Sequence, residues 1–322
     1  MLYSLLKLLV RLHRPLFFRS IRVNRPELLR AKGPILICAN HPNSFLDAVL
    51  LDTLFQQPIW SLARGDVFRG DFLTRLLTSI RILPVYRVSE GVENLSSNYE
   101  TFSACKDIFR RNGVVLIFSE GLCINEWHLR PLKKGTARLA LSSWKDGIDL
   151  QILPLGLNYS SFKSFGKDVV INIGTPISLS NFNLSGSEGQ QLQQFNTVLT
   201  KNLESLVFEI EENDTARQKR LISPPSSPAR KLFFALPGLA GWVLHLPLYL
   251  PAKLIARKTV ATGHYDSILA ALLFLAYPGY LLLMAVLLLI LTGKAINMLF
   301  FIVLPITAYS FIQSGLSAGN KL

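Results

Sequence analysis

The chain has 322 residues, of which half are hydrophobic and only 17% are charged, yet its formal net charge is +13 at pH 7. Its mean hydropathy of +0.33 is high for a soluble enzyme, and basic proteins that bind nucleic acid are seldom so apolar. A phospholipid surface is both apolar and anionic, so the composition favours a membrane partner and argues against nucleic acid. The three cysteines form no paired pattern, which favours a reducing, cytosolic environment.

The first residues predict a helix at a membrane interface. Basic residues recur throughout the apolar segment MLYSLLKLLVRLHRPLFFRSIRV, whereas a cleavable signal peptide places them ahead of one continuous apolar core. We therefore interpret residues 1–32 as an amphipathic helix whose arginines reach towards lipid phosphates. An ordinary surface helix is the alternative.

Residues 33–222 show the alternating pattern of an α/β domain. Short β-rich runs are separated by stretches with helical character, and active groups in such a domain lie on loops at strand ends. The runs are PILICAN, VVLIF, LQILPLGLNY and VVINIGTPI. Helices are predicted over residues 44–55, 93–111 and 135–144, and a further long helix with a polar face follows the last strand.

Residues 223–231, SPPSSPARK, form a Pro/Ser-rich linker, and the composition beyond it predicts a membrane region over residues 232–322. The apolar run at 268–291 is long enough to cross a bilayer, and the shorter run at 296–312 predicts the returning arm of a hairpin. Basic residues flank the run at 232–250 on both sides, so crossing would leave one basic cluster outside. We therefore predict a re-entrant or interfacial segment at 232–250.

The stretch ICANHPNSFLD places a histidine at the end of an apolar strand and a carboxylate on the next predicted helix. His41 would lie where α/β domains bind ligands, and Asp47 could accept a hydrogen bond from one imidazole nitrogen. The other nitrogen would then be free to take a proton from a hydroxyl group. The pair alone leaves open the alternative of a purely structural histidine.

Further stretches follow this histidine motif in order. They are ILPVYR, which ends at Arg87, then IFSEG at 117–121, LRPLKKGTARLAL at 129–141 and LPLGLNY around Pro154. Together with the histidine motif they resemble the motifs of the glycerolipid acyltransferase family, the PlsC-type family that contains the bacterial lysophosphatidic acid acyltransferases. The resemblance covers roughly the first half of the chain. It implies an α/β fold with a mostly parallel sheet surrounded by helices, here followed by a membrane-embedded helical region.

The resemblance also implies an activity. It implies an O-acyltransferase of phospholipid biosynthesis, without a cofactor or metal, that moves a fatty acyl chain from acyl-CoA or acyl carrier protein to a hydroxyl group. The acceptor would be lysophosphatidic acid, glycerol-3-phosphate or a related lysolipid. His41 and Asp47 would be catalytic, and backbone amides near Gly121 are candidates for an oxyanion hole. The implied substrate-binding residues are Asn40, Arg87, Glu120, Gly121, Lys133 and Lys134.

Three departures from the family pattern bear on this interpretation. Five residues separate His41 from Asp47, where the family usually has four, so the loop must absorb a rotation of about 100°. Ser119 replaces the usual proline. Leu122-Cys123 replaces the usual threonine-arginine pair, which leaves the acceptor open. The residues that could replace the missing arginine are Arg87, Arg130, Lys133 and Lys134.

A cytosolic acyl donor requires the catalytic domain to face the cytoplasm. The sequence therefore predicts an integral membrane protein, in the inner membrane if the protein is bacterial, with the phospholipid bilayer as a partner. The alternative is a non-catalytic lipid-binding or membrane scaffolding protein that retains the fold. The presence of His41, Asp47 and Glu120 argues against that alternative.

Overall fold

One mixed sheet of seven strands organises the computed structural model, which describes residues 2–86, 97–182, 185–225, 227–259, 263–294 and 298–315. In space the strand order is β1-β7-β6-β2-β5-β3-β4, and only the pairing of β6 with β7 is antiparallel. The sheet is therefore mostly parallel, as predicted. The strands are β1 (Phe18–Val23), β2 (Ile35–Ala39), β3 (Ile59–Arg64), β4 (Ile82–Val85), β5 (Val114–Phe118), β6 (Gln151–Tyr159) and β7 (Lys167–Ile173).

Ten α-helices surround or extend the sheet in the described ranges. They are α1 (Leu2–His13), α2 (Phe45–Leu54), α3 (Gly70–Ser79), α4 (Ser97–Arg110), α5 (Lys134–Lys145), α6 (Glu188–Glu204), α7 (Thr215–Ile222), α8 (Pro228–Arg257), α9 (Tyr265–Thr292) and α10 (Phe300–Ser314). The predicted helices at 44–55, 93–111 and 135–144 correspond to α2, α4 and α5, although residues 93–96 lie outside the described residues.

Strand β2 lies at the centre of the domain. It is buried along its whole length between β5 and β6, and a parallel strand covered on both faces requires a continuous apolar run such as ILICA. Its side chains alternate between two cores. Leu36 and Cys38 pack on the side of α5 and α6, whereas Ile37 and Ala39 pack on the side of α2. The loop that follows β2 therefore begins between the helices on the two faces of the sheet, α5 and α6 on one face and α2 on the other.

The N-terminal segment differs from the predicted interfacial helix of residues 1–32. The helix ends at His13, and Phe18–Val23 is edge strand β1, so the segment after α1 belongs to the α/β domain. Its arginines do not all reach outwards. Arg19 forms an ion pair with buried Asp168, and Arg22 donates hydrogen bonds to the carbonyl oxygens of Leu221 and Ile222.

Helix α1 also presents its basic face to the protein. Arg11 donates to the carbonyl oxygens of Thr53 and Phe55, and Lys7 donates to the same oxygen of Phe55. These carbonyls lie at the carboxyl end of α2, where helix carbonyls lack partners of their own and attract cations. The apolar face is turned outwards instead, and its exposed residues are Leu2, Leu5, Leu8 and Leu12. Contact of this face with a bilayer stays a prediction.

The region after the linker forms three apolar helices. Helix α8 starts at Pro228 and continues through Pro237, Pro247 and Pro251, so the linker shortens to residues 223–227 and the segment at 232–250 does not reverse. Helices α9 and α10 occupy the positions of the predicted hairpin at 268–291 and 296–312. By length and composition alone, α8 and α9 are long and apolar enough to cross a membrane.

Helix α8 is attached to the α/β domain near both of its ends. Close to its start, Arg230 donates to Gln313, whose amide group donates to the carbonyl oxygen of Arg19. Close to its end, the ring of Tyr249 packs against that of Phe165. These two attachments are 19 residues apart, or about 29 Å along a helix, so this part of α8 lies along the domain. An interfacial position for α8, with both basic clusters on one side of a membrane, stays a prediction.

We expect α8 to remain on the cytoplasmic side while α9 and α10 cross and return. Single cysteines would be introduced into a variant without Cys38, Cys105 and Cys123 and labelled in intact cells with a membrane-impermeant thiol reagent. A cysteine at Lys294 should react from outside, whereas cysteines at Lys258 and at Lys321, which lies outside the described residues, should react only after permeabilisation. Labelling of position 258 from outside would show that α8 spans the membrane.

Candidate active site

The chain turns sharply after β2 and brings His41 onto Asp47. The His41 Nδ1 atom lies 2.9 Å from Oδ2 of Asp47. The Asp47 side chain is fully buried, whereas that of His41 is 17% exposed. Ser44 absorbs the extra residue of the motif, because its backbone adopts φ 54° and ψ −146°, a conformation that residues other than glycine rarely adopt. The histidine and the aspartate therefore meet despite the longer spacing.

Asp47 is held by two further donors. The backbone N–H of Asn43 donates to Oδ2 at 2.8 Å, and the hydroxyl of Tyr159 donates to Oδ1 at 2.7 Å. Hydrogen bonds to a carboxylate favour its charged form. Burial and the adjacent Asp47 carboxylate raise the pKa of Tyr159 well above its usual range, so its hydroxyl remains a donor. A charged Asp47 fixes the proton of His41 on Nδ1 and leaves Nε2 as the basic nitrogen.

The sequence motifs did not identify Tyr159. It is the last residue of β6 and closes the LPLGLNY stretch, but it lies 112 positions from Asp47. Because β6 lies beside β2, its carboxyl end reaches the same edge of the sheet as the histidine loop. In the sequence, the one indication that Tyr159 could belong to the site is its position at the end of a predicted strand.

The imidazole ring is fixed on a second side by an aromatic neighbour. Phe118 ends β5, on the other side of β2, and its ring stacks on that of His41 with centroids 3.8 Å apart and planes 11° apart. The hydrogen bond to Asp47 and this stacking together define the orientation of the ring. Such restraint is what a group that transfers protons requires.

Glu120 joins the histidine loop to the segment after β5. Its Oε2 accepts the backbone N–H of His41 at 2.7 Å, and its Oε1 accepts that of Arg130 at 2.9 Å. Burial raises the pKa of Glu120, and these two hydrogen bonds oppose the shift. Both carboxylate oxygens are thus engaged by the backbone. This geometry favours the role of ordering the loop over that of contacting a substrate.

Two of the predicted substrate-binding residues are used by the fold itself. The side chain of Asn40 donates to the carbonyl oxygen of Leu157 and accepts its N–H, which ties the end of β2 to β6. The backbone N–H of Gly121 donates to the carbonyl oxygen of Phe118 in a turn with φ +67°. An oxyanion hole in this loop would therefore need amides other than that of Gly121.

The remaining predicted residues divide into three cases. Lys133 and Lys134 line the same cleft as His41, as does Gly121. Arg130 forms an ion pair with Glu126 and is only partly available. Arg87 lies outside the described residues.

His41 opens into a cleft of about 1810 Å³ with two chemically different arms. The cleft is larger than the roughly 300–1,000 Å³ of common small-molecule sites, so it can take an elongated ligand. The arm towards α1, α2 and α9 includes the apolar residues Leu6, Val10, Val49, Ile268 and Phe274, with the charged residues Lys7, Arg14 and Asp52 also in its lining. The arm towards α5 is mainly basic and includes Lys133, Lys134, Arg138 and Lys145, with the carboxylates Asp146 and Glu188 also in its lining.

The basic arm follows one face of α5. Lys134, Arg138 and Lys145 are four and seven positions apart, a spacing that places side chains on one side of a helix. Within the described part of the chain, none of these three forms an ion pair with a carboxylate. The cleft therefore offers unneutralised positive charge on one side of His41 and an apolar surface on the other.

Asn40→Ala should destabilise the fold and leave the cleft chemically unchanged. The substitution leaves the buried N–H and carbonyl of Leu157 without partners, which costs about 1–3 kcal/mol of unfolding free energy. Thermal unfolding in detergent would measure the change against Asn202→Ala, which removes a side-chain hydrogen bond within α6 only. If stability is unchanged and ligand binding is weakened, Asn40 binds substrate, as the sequence predicted, and does not stabilise the fold.

Comparison with known proteins shows what the region around this site is similar to. Residues 20–158 match the family model described as Acyltransferase. No curated protein sequence matches the chain. Among solved structures, the 1-acyl-sn-glycerophosphate (LPA) acyltransferase PlsC from Thermotoga maritima is similar, with 14% identity, a TM-score of 0.39 and coverage of 58% of this chain and 71% of that chain. The resemblance of the sequence motifs to an acyltransferase family is confirmed over residues 20–158, a region that contains His41, Asp47 and Glu120.

Proposed function

We propose that the protein is an O-acyltransferase of glycerolipid synthesis, which transfers a fatty acyl chain from a thioester donor to a hydroxyl group of a lysolipid or glycerol phosphate. The observation that carries this proposal is the His41–Asp47 pair, 2.9 Å apart at the cleft within the acyltransferase-family domain. The donor would be acyl-CoA or acyl carrier protein.

The reaction needs one base and no protein nucleophile. Nε2 of His41 removes the proton of the acceptor hydroxyl, and the oxygen attacks the thioester carbonyl carbon. The C–S bond breaks as the tetrahedral intermediate collapses, and the protonated His41 returns the proton to the leaving thiolate. Asp47 stabilises the imidazolium in between, as the aspartate does in a Ser-His-Asp triad.

The buried cysteines are unsuited to a covalent mechanism. Burial raises the pKa values of the Cys38 and Cys105 thiols, so both remain protonated and poorly nucleophilic. Direct attack by the acceptor hydroxyl needs neither of these two cysteines.

The two arms of the cleft suit the two ends of the substrates. The apolar arm, with Val10, Val49 and Phe274, suits the fatty acyl chain, and the basic arm suits phosphate groups. Lysophosphatidic acid is our first choice of acceptor and glycerol-3-phosphate the second. A lyso-aminolipid is the third, because Leu122-Cys123 stands where the family usually has threonine-arginine.

A membrane location completes the proposal. The outward apolar face of α1 and the apolar helix α9, which is long enough to cross a bilayer, support an integral membrane protein. A cytosolic donor requires that the cleft face the cytoplasm, in the inner membrane if the protein is bacterial.

His41→Ala should lower acyl transfer by about 10²–10⁴-fold, because loss of a general base has effects of this size. Turnover would be measured on purified protein in detergent micelles with labelled acyl-CoA and each of the three acceptors. His128→Ala is the matched control, since His128 pairs with Glu209 outside the cleft. Near wild-type turnover of His41→Ala with every accepted lipid would refute the mechanism. A wild-type protein that binds lipids but transfers no acyl chain would favour the non-catalytic alternative.

Arg87→Ala and Lys134→Ala should each raise the apparent KM for a phosphate-bearing acceptor more than that for the acyl donor. Loss of one charge-assisted hydrogen bond costs about 1.5–3 kcal/mol, which corresponds to about 10- to 100-fold in binding. Initial rates would be measured with each substrate varied in turn, and Lys163→Ala, a lysine outside the cleft lining, is the control. An effect confined to the donor KM would assign the residue to the donor instead.

A further inference from the structure

The loop that carries His41 and Asp47 is held by residues outside the acyltransferase-family domain. The hydroxyl of Ser267, in the first turn of α9, accepts the N–H of Leu46 at 3.1 Å and donates to the carbonyl oxygen of Asn43 at 3.0 Å. Next to it, Oδ2 of Asp266 accepts the side-chain amide of Asn43 at 3.0 Å. Both α9 residues are buried, and Ser267 is completely so. Three groups of the histidine loop are thus fixed by two consecutive residues of α9.

A buried cation anchors this contact to the sheet. Lys167, the first residue of β7, forms an ion pair with Asp266, and both side chains are 5% exposed. The charge of Asp266 is therefore compensated even though it lies away from water. Removal of one partner of such a pair leaves an unpaired buried charge, so the arrangement resists displacement.

Asn43 transmits the contact to the catalytic pair. Its backbone N–H donates to Oδ2 of Asp47, the same oxygen that lies 2.9 Å from Nδ1 of His41. Its side chain and its carbonyl group are the groups that Asp266 and Ser267 hold. The direction of the Asn43 N–H, and with it the position of the Asp47 carboxylate, therefore depends on the start of α9.

The strain at Ser44 shows why such a brace is needed. A backbone conformation near φ 54° and ψ −146° is unfavourable for a serine and persists only where neighbouring contacts impose it. Ser44 lies between Asn43 and Leu46, which are the residues bound by Ser267. Its own hydroxyl lies 2.6 Å from Nδ1 of His264, directly before α9. The start of α9 thus surrounds the strained residue.

We propose that Asp266 and Ser267 are positioning residues for acyl transfer, which hold the turn at Asn43 and Ser44 in the geometry that brings Asp47 onto His41. This inference rests on the proposed function of the His41–Asp47 pair. Helix α9 is long and apolar enough to cross a membrane. According to this inference, its first turn also positions the catalytic residues.

Ser267→Ala and Asp266→Asn in the full-length chain test the proposal. We expect kcat to fall by about 10- to 100-fold with little change in KM for donor or acceptor, since misplacement of a reacting group by about 1 Å has effects of this size. Ser267→Thr keeps the hydroxyl and should restore most of the turnover. Ser310→Ala is the matched control, because this buried serine of α10 bonds only to a carbonyl of its own helix.

Hydrogen exchange measured by mass spectrometry supplies a readout that needs no activity. Peptides covering residues 41–47 should exchange faster in Ser267→Ala than in the wild type or in Ser310→Ala. Unchanged exchange in this loop, or loss of stability with unchanged kcat per folded molecule, would overturn the proposal. Faster loop exchange in a protein whose wild type transfers no acyl chain would support the positioning contact and overturn the proposed function instead.

Discussion

The Asp47 carboxylate, buried in the core and surrounded by hydrogen-bond donors, is the constraint on which the site depends. An isolated buried carboxylate is strongly unfavourable unless donors replace its water. Here Nδ1 of His41, the N–H of Asn43 and the hydroxyl of Tyr159 surround it. Each donor requires a different feature of the fold: the turn after β2, the strained backbone of Ser44, and the adjacency of β6 to β2. The sheet order and the longer histidine loop therefore both bring hydrogen-bond donors to the Asp47 carboxylate.

Two further carboxylates hold the histidine loop from opposite directions. Glu120, after β5, binds the backbone N–H of His41, and Asp266, at the start of α9, binds the side chain of Asn43. Burial lowers the pKa of Lys167, the ion-pair partner of Asp266, and the nearby charge of Asp47 opposes that shift. Glu120 and Asp266 thus hold the catalytic loop from two directions, and the side of His41 that lines the cleft faces the space for a substrate.

The sequence predicts the parts of this site that are local and misses those that depend on long-range contacts. His41 and Glu120 are found because each follows an apolar strand within a recognisable motif, and parallel strands end at one edge of the sheet. Tyr159 and Asp266 lie 112 and 219 positions from Asp47, and no local pattern indicates such pairs. Helical periodicity likewise showed that α1 has two faces. It could not show that the basic face would bind the carboxyl end of α2.

The three prolines of α8 do not end the helix, which local sequence preference alone would not have predicted. In a soluble segment each would interrupt helical hydrogen bonding, yet α8 is continuous through all three, as is common in helices packed against other apolar helices. Close packing of this kind is visible at Gly241, where a Cβ atom would lie 2.2 Å from the carbonyl oxygen of Thr307 in α10. The packing of α8 against α10 therefore outweighs the tendency of proline to interrupt a helix, and the sequence alone does not reveal that packing.

The contact between α9 and the histidine loop also fixes how deep the active site would lie relative to a bilayer. Ser267 touches Asn43, and the charge-free apolar run begins at the next residue, Ile268. If α9 crosses the membrane as proposed, the turn that carries His41 lies within about one helical turn, or 5 Å, of the point where hydrocarbon begins. Ile268 and Phe274 also line the apolar arm of the cleft. A lysolipid hydroxyl at headgroup level would then reach Nε2 of His41 while its acyl chain remained in the membrane.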